Sequence, residues 1–109
     1  MVFKFKDIPA HKIDETLSIV NLFSFPDKDF TFVVGELDGF HGTIVNSKNQ
    51  KYYYIIDGEA KVVIENETYD VSKGDFVCID KNQKHSIEGK VTFGILCLPP
   101  YDFNSETVT

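Results

Sequence analysis

Short apolar runs separated by turn residues dominate the chain, and few segments longer than eight residues keep a helical period. The runs are rich in β-branched and aromatic side chains, which suit a pleated and half-buried surface. We predict a strand for each of FTFVVGEL (30–37), HGTIV (41–45), KYYYII (51–56), AKVVIE (60–65), TYDVS (68–72), DFVCI (75–79) and VTFGILCL (91–98). The run TLSIVNLFSF (16–25) fits a strand at least as well as a helix and stays ambiguous.

From the middle of the chain onward, turn residues interrupt these runs at a spacing of about eight residues, which suits short strands joined by tight hairpins. These interruptions fall at Asp57-Gly58, Asn66-Glu67, Lys73-Gly74, Lys81-Asn82 and Gly89-Lys90, and a further one, Asp38-Gly39, separates the two upstream strands. Glycine takes a positive φ without a steric clash, and asparagine tolerates it better than most residues. The pattern therefore predicts a hairpin turn at each interruption.

Eight or nine short strands in one small chain favour a closed or two-sheet antiparallel barrel, because such a barrel hides its strand edges. We predict an all-β fold with a single domain over residues 1–109. Residues 1–29 would supply N-terminal strands and a loop, and residues 30–104 the barrel. Two prolines end the last strand, and the tail 105–109 is expected to be loosely ordered.

Composition narrows the classes of partner. The chain has 109 residues, 42% hydrophobic and 26% charged, with a formal net charge of −6. An acidic surface repels the phosphates of nucleic acids. No apolar run approaches the roughly 20 residues that span a bilayer, and the N-terminus lacks the apolar block of a signal peptide. We therefore expect a cytoplasmic protein with no nucleic-acid or membrane partner.

The two cysteines, Cys78 and Cys97, each lie within an apolar run. In a reducing compartment they are predicted to be buried thiols, with a disulfide as the less favoured alternative. No Cys-x-x-Cys or other zinc spacing is present.

Two glycine-spaced segments carry a family resemblance. They are GFHGTIVNSKNQKYYYIIDGEAKVVI (39–64) and KGDFVCIDKNQKHSIEG (73–89), and the close LCLPPYDFN (96–104) accompanies them. This part of the chain resembles the cupins, small β-barrels with a motif G-x5-H-x-H-x3–4-E-x6-G followed by G-x5-P-x-G-x2-H-x3-N. The resemblance covers roughly residues 30 to 104 and implies the jelly-roll, or double-stranded β-helix, form of barrel.

The family's three histidines and glutamate normally hold one metal ion inside the barrel. Laid on this chain with a three-residue spacer, the positions fall on Val45, Ser47, Lys51 and His85. Only His85 is a metal ligand, and an ammonium at position 51 would repel a divalent cation. We therefore predict no metal and no cofactor. Another donor, His41, is the alternative that would rebuild a metal site.

The substitutions predict a different pocket. Lys51 and His85 would face each other across the cavity, and strand alternation places Tyr53 and Ile55 on the same side as Lys51. Ser47, Lys51, Tyr53 and His85 are the predicted ligand-binding residues, with His85 and Lys51 as catalytic candidates. Like-charge repulsion and burial would depress the pKa of both His85 and Lys51. The alternatives are a structural role for His85 and a solvated Lys51.

Three functions follow from this pocket. The first is a metal-free cupin that binds a small anionic or sugar-like molecule. The second is a metal-independent isomerase or epimerase of a keto-sugar, with His85 as general base. The third, a metal-dependent oxygenase or isomerase, is opposed by the lost ligands. The resemblance also implies a homodimer paired through a strand or a sheet face. Separately, 10 phenylalanines and 5 tyrosines are many for one small barrel, so some of these rings are predicted to lie on an interface.

Overall fold

A computed structural model of the protein describes residues 2–12, 17–25 and 27–108, with the backbone alone at residues 17–19 and 103. Met1, residues 13–16, Pro26 and Thr109 of the predicted domain lie outside this description. Within it, the chain forms strands and two short 3-10 helices, Phe5–Asp7 and Phe103–Ser105. None of the described helices is long and apolar enough to cross a bilayer.

The strands are β1 (Ala10–His11), β2 (Leu17–Ser24), β3 (Thr31–Asn46), β4 (Gln50–Ile64), β5 (Glu67–Ser72), β6 (Phe76–Ile79), β7 (His85–Leu98) and β8 (Glu106–Val108). All the pairings between them are antiparallel. The main path runs β1-β2-β3-β7-β4-β5, with β6 added to β4 and β8 added to β3. The predicted all-β antiparallel fold is confirmed, and the ambiguous segment before β3 is a strand.

Three strands are much longer than predicted. β3, β4 and β7 contain 16, 15 and 14 residues and run through Gly39, Gly58 and Gly89, where we expected hairpin turns. That expectation is wrong at these positions, because the glycines bend the strands without ending them. Gly39 pairs directly with Gly89, and Gly89 with Ala60. The three positive φ values, 128°, 88° and 149°, place the bends side by side.

The bends fold the sheet over onto itself. The first half of β4 pairs with β6 and its second half with β5, while β7 pairs with β4 along both halves. Inward side chains from both halves meet in one core, as expected for two packed layers. The core contains Leu37, Tyr53, Ile55, Ala60, Val62, Val71, Val77, Ile79, Ile87, Val91 and Phe93.

The predicted hairpin is confirmed at Asn66, between the paired strands β4 and β5. Lys73-Gly74 and Lys81-Asn82 are turns but not the predicted hairpins, because β5 and β6 both pair with β4 and, among the described strands, neither turn joins two paired strands. Gly74 and Asn82 take positive φ values of 92° and 69° there, as the residue types predict.

The tail and one cysteine differ from expectation. Residues Glu106–Val108 form β8, which pairs with Ile44, Val45 and Asn46 of β3, so this part of the tail is ordered. Cys97 is buried as predicted, whereas Cys78 is exposed on β6. The apolar run around Cys78 alternates between the two faces of the strand, and Cys78 falls on the outer face. Both cysteines are free thiols.

Candidate functional site

Strand alternation in β4 turns Lys51 into the barrel. Lys51, Tyr53 and Ile55 are 5%, 9% and 0% exposed, while the intervening Tyr54 is 50% exposed. The predicted common face of these three residues is therefore confirmed. The alternative of a solvated Lys51 is wrong, because its side chain does not reach bulk water.

The buried lysine has a partner that the sequence did not suggest. Its Nζ donates to Oε1 of Glu106, and the side chains of Lys51 and Glu106 are only 6% and 15% exposed. Glu106 is placed by the register of β8, in which it lies opposite Asn46 of β3. The interior thus contains an ion pair instead of a single cation.

Two buried asparagines hold Glu106 and the chain around it. Nδ2 of Asn46 lies 3.4 Å from Oε1 of Glu106, and Oδ1 of Asn46 accepts from the Ser105 hydroxyl at 3.1 Å. Asn49, which is 1% exposed, donates to the Pro99 and Pro100 carbonyls at 2.6 and 3.1 Å. The C-terminal strap, which we define as residues 99–108, is therefore fastened to the barrel beside the last residues of β3.

The first motif lies one residue out of the predicted register. Ile44 and Asn46 are 7% and 2% exposed, whereas Val45 is half-buried and Ser47 is exposed. A register shift after His41 in the pairing of β3 with β7 accompanies this change of face. Ser47 lies in the β3–β4 turn, where its amide donates to the Ser105 carbonyl, so it does not join Lys51 and His85. A four-residue spacer counted back from Lys51 selects Ile44 and Asn46, but it places Asp38 instead of Gly39 at the first glycine of the motif.

His85 begins β7, where it pairs with Ile44 of β3 and Ile64 of β4. The ring is 5% exposed, and its Nδ1 lies 3.0 Å from the Gln83 carbonyl oxygen. A carbonyl only accepts, so the proton is assigned to Nδ1 and the lone pair to Nε2. Nε2 is buried and has no hydrogen-bond partner among the described residues.

The charges around His85 favour a neutral imidazole. Burial lowers the pKa of His85 below 6.5, and the Lys51 charge lowers it further, while the hydrogen bond to Gln83 opposes the shift. The predicted direction is confirmed for His85. Because the pKa of His85 depends on both Lys51 and Glu106, the ion pair and the imidazole belong to one electrostatic site.

The predicted direction is wrong for Lys51. Burial alone would lower the pKa of Lys51, but the phenolate form of Tyr53 and the Glu106 carboxylate outweigh it, so the pKa lies above 10.5. Burial likewise acts to raise the pKa of Glu106. The Lys51 ammonium and hydrogen bonds from Lys51, Tyr101 and Asn46 outweigh it, so this pKa lies below 4.5. At neutral pH both partners are charged.

The remaining titratable groups nearby are neutral donors. Burial raises the pKa of Tyr53 and of Tyr101, and it raises the pKa of the Cys97 thiol to about 11. Tyr101 donates to the Glu106 carboxylate, and Lys51 lies 6.0 Å from the centre of the Tyr101 ring. The site therefore combines one ion pair, one neutral base and two phenols.

The space beside His85 is smaller than the predicted cup. The enclosed cavity measures about 10 Å³, roughly the room of one water molecule. It is lined by Tyr53, Ile55, Val62, Val77, Ile79, His85, Ser86 and Ile87. Strand alternation identified the inward residues of β4, but not the aliphatic side chains that fill the space from the facing strands. Phe93 packs inside, with its ring 5.4 Å from that of Tyr53, whereas the ring of Phe32 packs over Gly94.

Comparison with known proteins decides the family. A family model described as the cupin domain matches residues 31–97, which is more than half of the chain. The chain is a cupin. A protein of Methanocaldococcus jannaschii with no described function is 39% identical over 57 residues, which are 49% of this cupin and 46% of that protein. This cupin thus spans about half the length of that relative.

Solved structures agree with the fold. A Streptomyces Pac13 variant with uridine has a TM-score of 0.87 at 12% identity, over 99% of this cupin and 89% of that chain. Pac13 itself, described as a nucleoside dehydratase, has a TM-score of 0.86 at 13% identity, over 100% and 90%. Bacillus subtilis oxalate decarboxylase has a TM-score of 0.82 at 20% identity, over 97% of this cupin and 31% of the decarboxylase. At these identities the likeness shows the fold alone.

The metal that cupins commonly hold does not fit these side chains. In the corrected register the four ligand positions carry Ile44, Asn46, Lys51 and His85, and the nearby carboxylate of Glu106 already binds the Lys51 ammonium. A divalent transition metal needs several imidazoles, thiolates or carboxylates that converge. No group of three such side chains converges within the described parts of the chain, so His41 does not rebuild the site. The binding and catalytic roles of Ser47, Lys51, Tyr53 and His85 stay predictions.

Proposed function

We propose that this cupin binds a small, uncharged, hydroxylated molecule of the sugar or nucleoside kind inside its barrel. In this proposal His85 accepts a hydrogen bond from a hydroxyl of the ligand. The observation that carries the proposal is the buried Nε2 of His85, which lacks a partner among the described residues. A buried polar atom without a partner costs about 1–3 kcal/mol, and a ligand hydroxyl would recover that free energy.

The charges favour an uncharged ligand over the anion that the sequence suggested. An unpaired Lys51 would attract a carboxylate or phosphate, but its ammonium is already paired with Glu106. A salt-bridged pair whose charges influence a neutral imidazole supplies both donors and acceptors, which suits hydroxyl groups. The fold of Pac13, which has been determined with uridine, accommodates a ligand of this class, and this supports the proposal.

A ligand of the size of a sugar or nucleoside can bind inside only if the barrel opens. A cavity of about 10 Å³ holds one water and no sugar, so side chains or a segment must move when the ligand enters. The C-terminal strap is the segment that we propose moves, because its strand β8 has only three residues and short edge segments open at lower free energy than core strands.

The test is ligand-induced stabilisation. Purified protein is screened by thermal shift against monosaccharides and nucleosides, each beside its carboxylate or phosphate counterpart, and hits are measured by calorimetry. A ligand that binds only the native state raises Tm. His85→Leu removes the acceptor at similar volume and should weaken binding about tenfold or more. His11→Leu, at an exposed position on β1, is the matched control and should leave the affinity unchanged. A panel that stabilises nothing, or hits indifferent to His85→Leu, would reject the proposal.

A second function is favoured by the protonation of the same ring. His85 presents a lone pair at Nε2, is fixed by its Nδ1 bond to Gln83, and has a depressed pKa. An oriented neutral imidazole is suited to act as a general base. We therefore keep the keto-sugar isomerase or epimerase, in which His85 removes a proton next to a carbonyl, as the alternative.

That alternative is tested without knowing the product. Candidate keto-sugars are incubated with the protein in deuterium oxide, and exchange of the carbon-bound proton next to the carbonyl is followed by NMR. Exchange that falls about 10²–10⁴-fold in His85→Gln, with the fold intact, supports a general base. Exchange equal to the rate without protein rejects the enzyme.

We also propose that the protein is a homodimer. The outer face of β4 and β6 carries exposed Tyr54, Ile56 and Phe76, at 50%, 40% and 60%. Tyr54 lies opposite Phe76, so these side chains form one patch, and none of them is charged. A second copy repels this chain over most of its surface, since the net charge is −6, but an uncharged aromatic patch escapes that repulsion.

A further inference from the structure

We infer that Glu106 is a specificity-determining residue that occupies, from within the chain, the position an anionic ligand would take on Lys51. With Glu106 in place the barrel accepts uncharged molecules and rejects carboxylates. Without it, Lys51 becomes the centre of a site for a small carboxylate. The inference rests on the proposed ligand position, but its test does not depend on any uncharged ligand being found.

The contacts of Glu106 are those of a bound carboxylate ligand. Its carboxylate accepts from the Lys51 ammonium, from the Asn46 amide and from the Tyr101 hydroxyl. Lys51 and Asn46 belong to the barrel strands β4 and β3, whereas Glu106 and Tyr101 belong to the strap. A cation and an amide donor that converge on one carboxylate form a recognisable carboxylate site, which the strap fills.

The weak attachment of β8, the strand that carries Glu106, supports the exchange of Glu106 with a ligand. β8 has three residues, lies off the main strand path and, among the described strands, pairs with β3 alone. The rest of the strap is held by hydrogen bonds such as that from the Tyr101 amide to Thr31 Oγ1 at 3.0 Å. Short edge segments of this kind open at lower free energy than the core strands. A ligand that reaches Lys51 therefore competes with a tethered carboxylate.

Electrostatics gives the direction of the selectivity. An anion that approaches the intact pair meets a cation and an anion whose charges cancel, and it must also displace Glu106. When Glu106 loses its charge, Lys51 remains as a buried cation without a counter-ion. A buried unpaired charge is strongly unfavourable, so an anion of the correct size gains affinity. We expect acetate, a probe of the size of the missing side-chain end, to bind.

The experiment compares wild type, Glu106→Ala and Lys51→Met/Glu106→Ala by thermal shift at pH 7. Sodium acetate is titrated against sodium chloride at equal ionic strength, and acetamide serves as the uncharged isostere. We expect acetate to raise the Tm of Glu106→Ala saturably, by about 5 °C or more. Wild type should respond to acetate as it does to chloride, and the double variant should lose the acetate response.

Three results would overturn the inference: an equal acetate effect in wild type, an effect that persists in the double variant, or acetamide acting as well as acetate. If Glu106→Ala is unfolded in chloride, folding on addition of acetate supports the inference. If acetate never folds it, Glu106→Ser, which also leaves room for the anion, provides the test, and failure of acetate to stabilise Glu106→Ser beyond acetamide rejects the inference. The wild-type screen with uncharged ligands separately tests the proposed function, so the two failures are distinguishable.

Discussion

Replacing Lys51 by methionine should be among the most destabilising single substitutions in this barrel. Methionine retains most of the volume of the lysine side chain, so the change removes the charge without opening a large cavity. The Glu106 carboxylate then stays in the interior with no cation beside it. The perturbation therefore isolates the cost of one uncompensated buried charge.

The magnitude follows from burial. The side chains of Lys51 and Glu106 are 6% and 15% exposed, far from the solvated regime in which ion pairs contribute about 0–1 kcal/mol. Removing one partner of a buried pair costs about 3–5 kcal/mol. A domain of this size is stable by about 5–15 kcal/mol, so Lys51→Met should lose a large part of its stability. The double variant Lys51→Met/Glu106→Leu has no buried charge and should recover most of that loss.

The assay is a double-mutant cycle by chemical denaturation. The free energies of unfolding of wild type, both single variants and the double variant are measured in urea at pH 7. The expected sign is a double variant more stable than Lys51→Met, by about 2 kcal/mol or more. A loss below about 1 kcal/mol in Lys51→Met, or additive losses in the double variant, would show that the pair is solvated and would refute the reasoning.

Three further predictions test other parts of the argument. His85 has a folded pKa below its unfolded 6.5, so wild-type stability should fall as the pH drops below about 6.5, and the urea midpoint of His85→Gln should lose that dependence. Gly89→Ala places a Cβ 2.4 Å from a β4 carbonyl oxygen and should cost more than about 2 kcal/mol of unfolding free energy, whereas Gly74→Ala, with nothing within 4 Å, should cost about 1. Phe76→Lys should convert the dimer to a monomer in analytical ultracentrifugation, whereas Tyr69→Lys on β5, the control, should leave it dimeric. A wild-type protein that sediments as a monomer would contradict the dimer.

The fold was largely predictable because apolar alternation and turn residues are local signals. The length of the central strands was not predictable, since a glycine can lie between two strands or bend a strand that continues. At Gly74 the chain leaves β5 and enters β6, and both of these strands run antiparallel to β4, while Gly89 continues within β7 between two partner strands. What decides between turn and bend is the presence of neighbours on both sides, and that is a property of the assembled sheet.

The site was predictable only where one strand determines it. Alternation from Lys51 correctly placed Tyr53, and the second motif correctly placed His85 in the interior. Glu106 lies 55 residues from its partner in the sequence and in a polar tail that gives no strand signal. Asn46 was missed because a local register shift in β3 reverses which residues face inward. Pairings between distant segments and irregularities within a strand are both invisible to a period-two pattern.

The exchange of charges in the barrel has a consistent physical logic. In the family motif a carboxylate stands at the position of Lys51 and faces a bound cation. Here the cation is the side chain itself, and the carboxylate comes from β8 as Glu106, so opposite charges still meet in the interior. An ammonium bonded to a carboxylate offers directed hydrogen bonds but no exchangeable coordination position. Nε2 of His85, which has no hydrogen-bond partner among the described residues, is therefore the atom that both the binding and the proton-transfer assays should target.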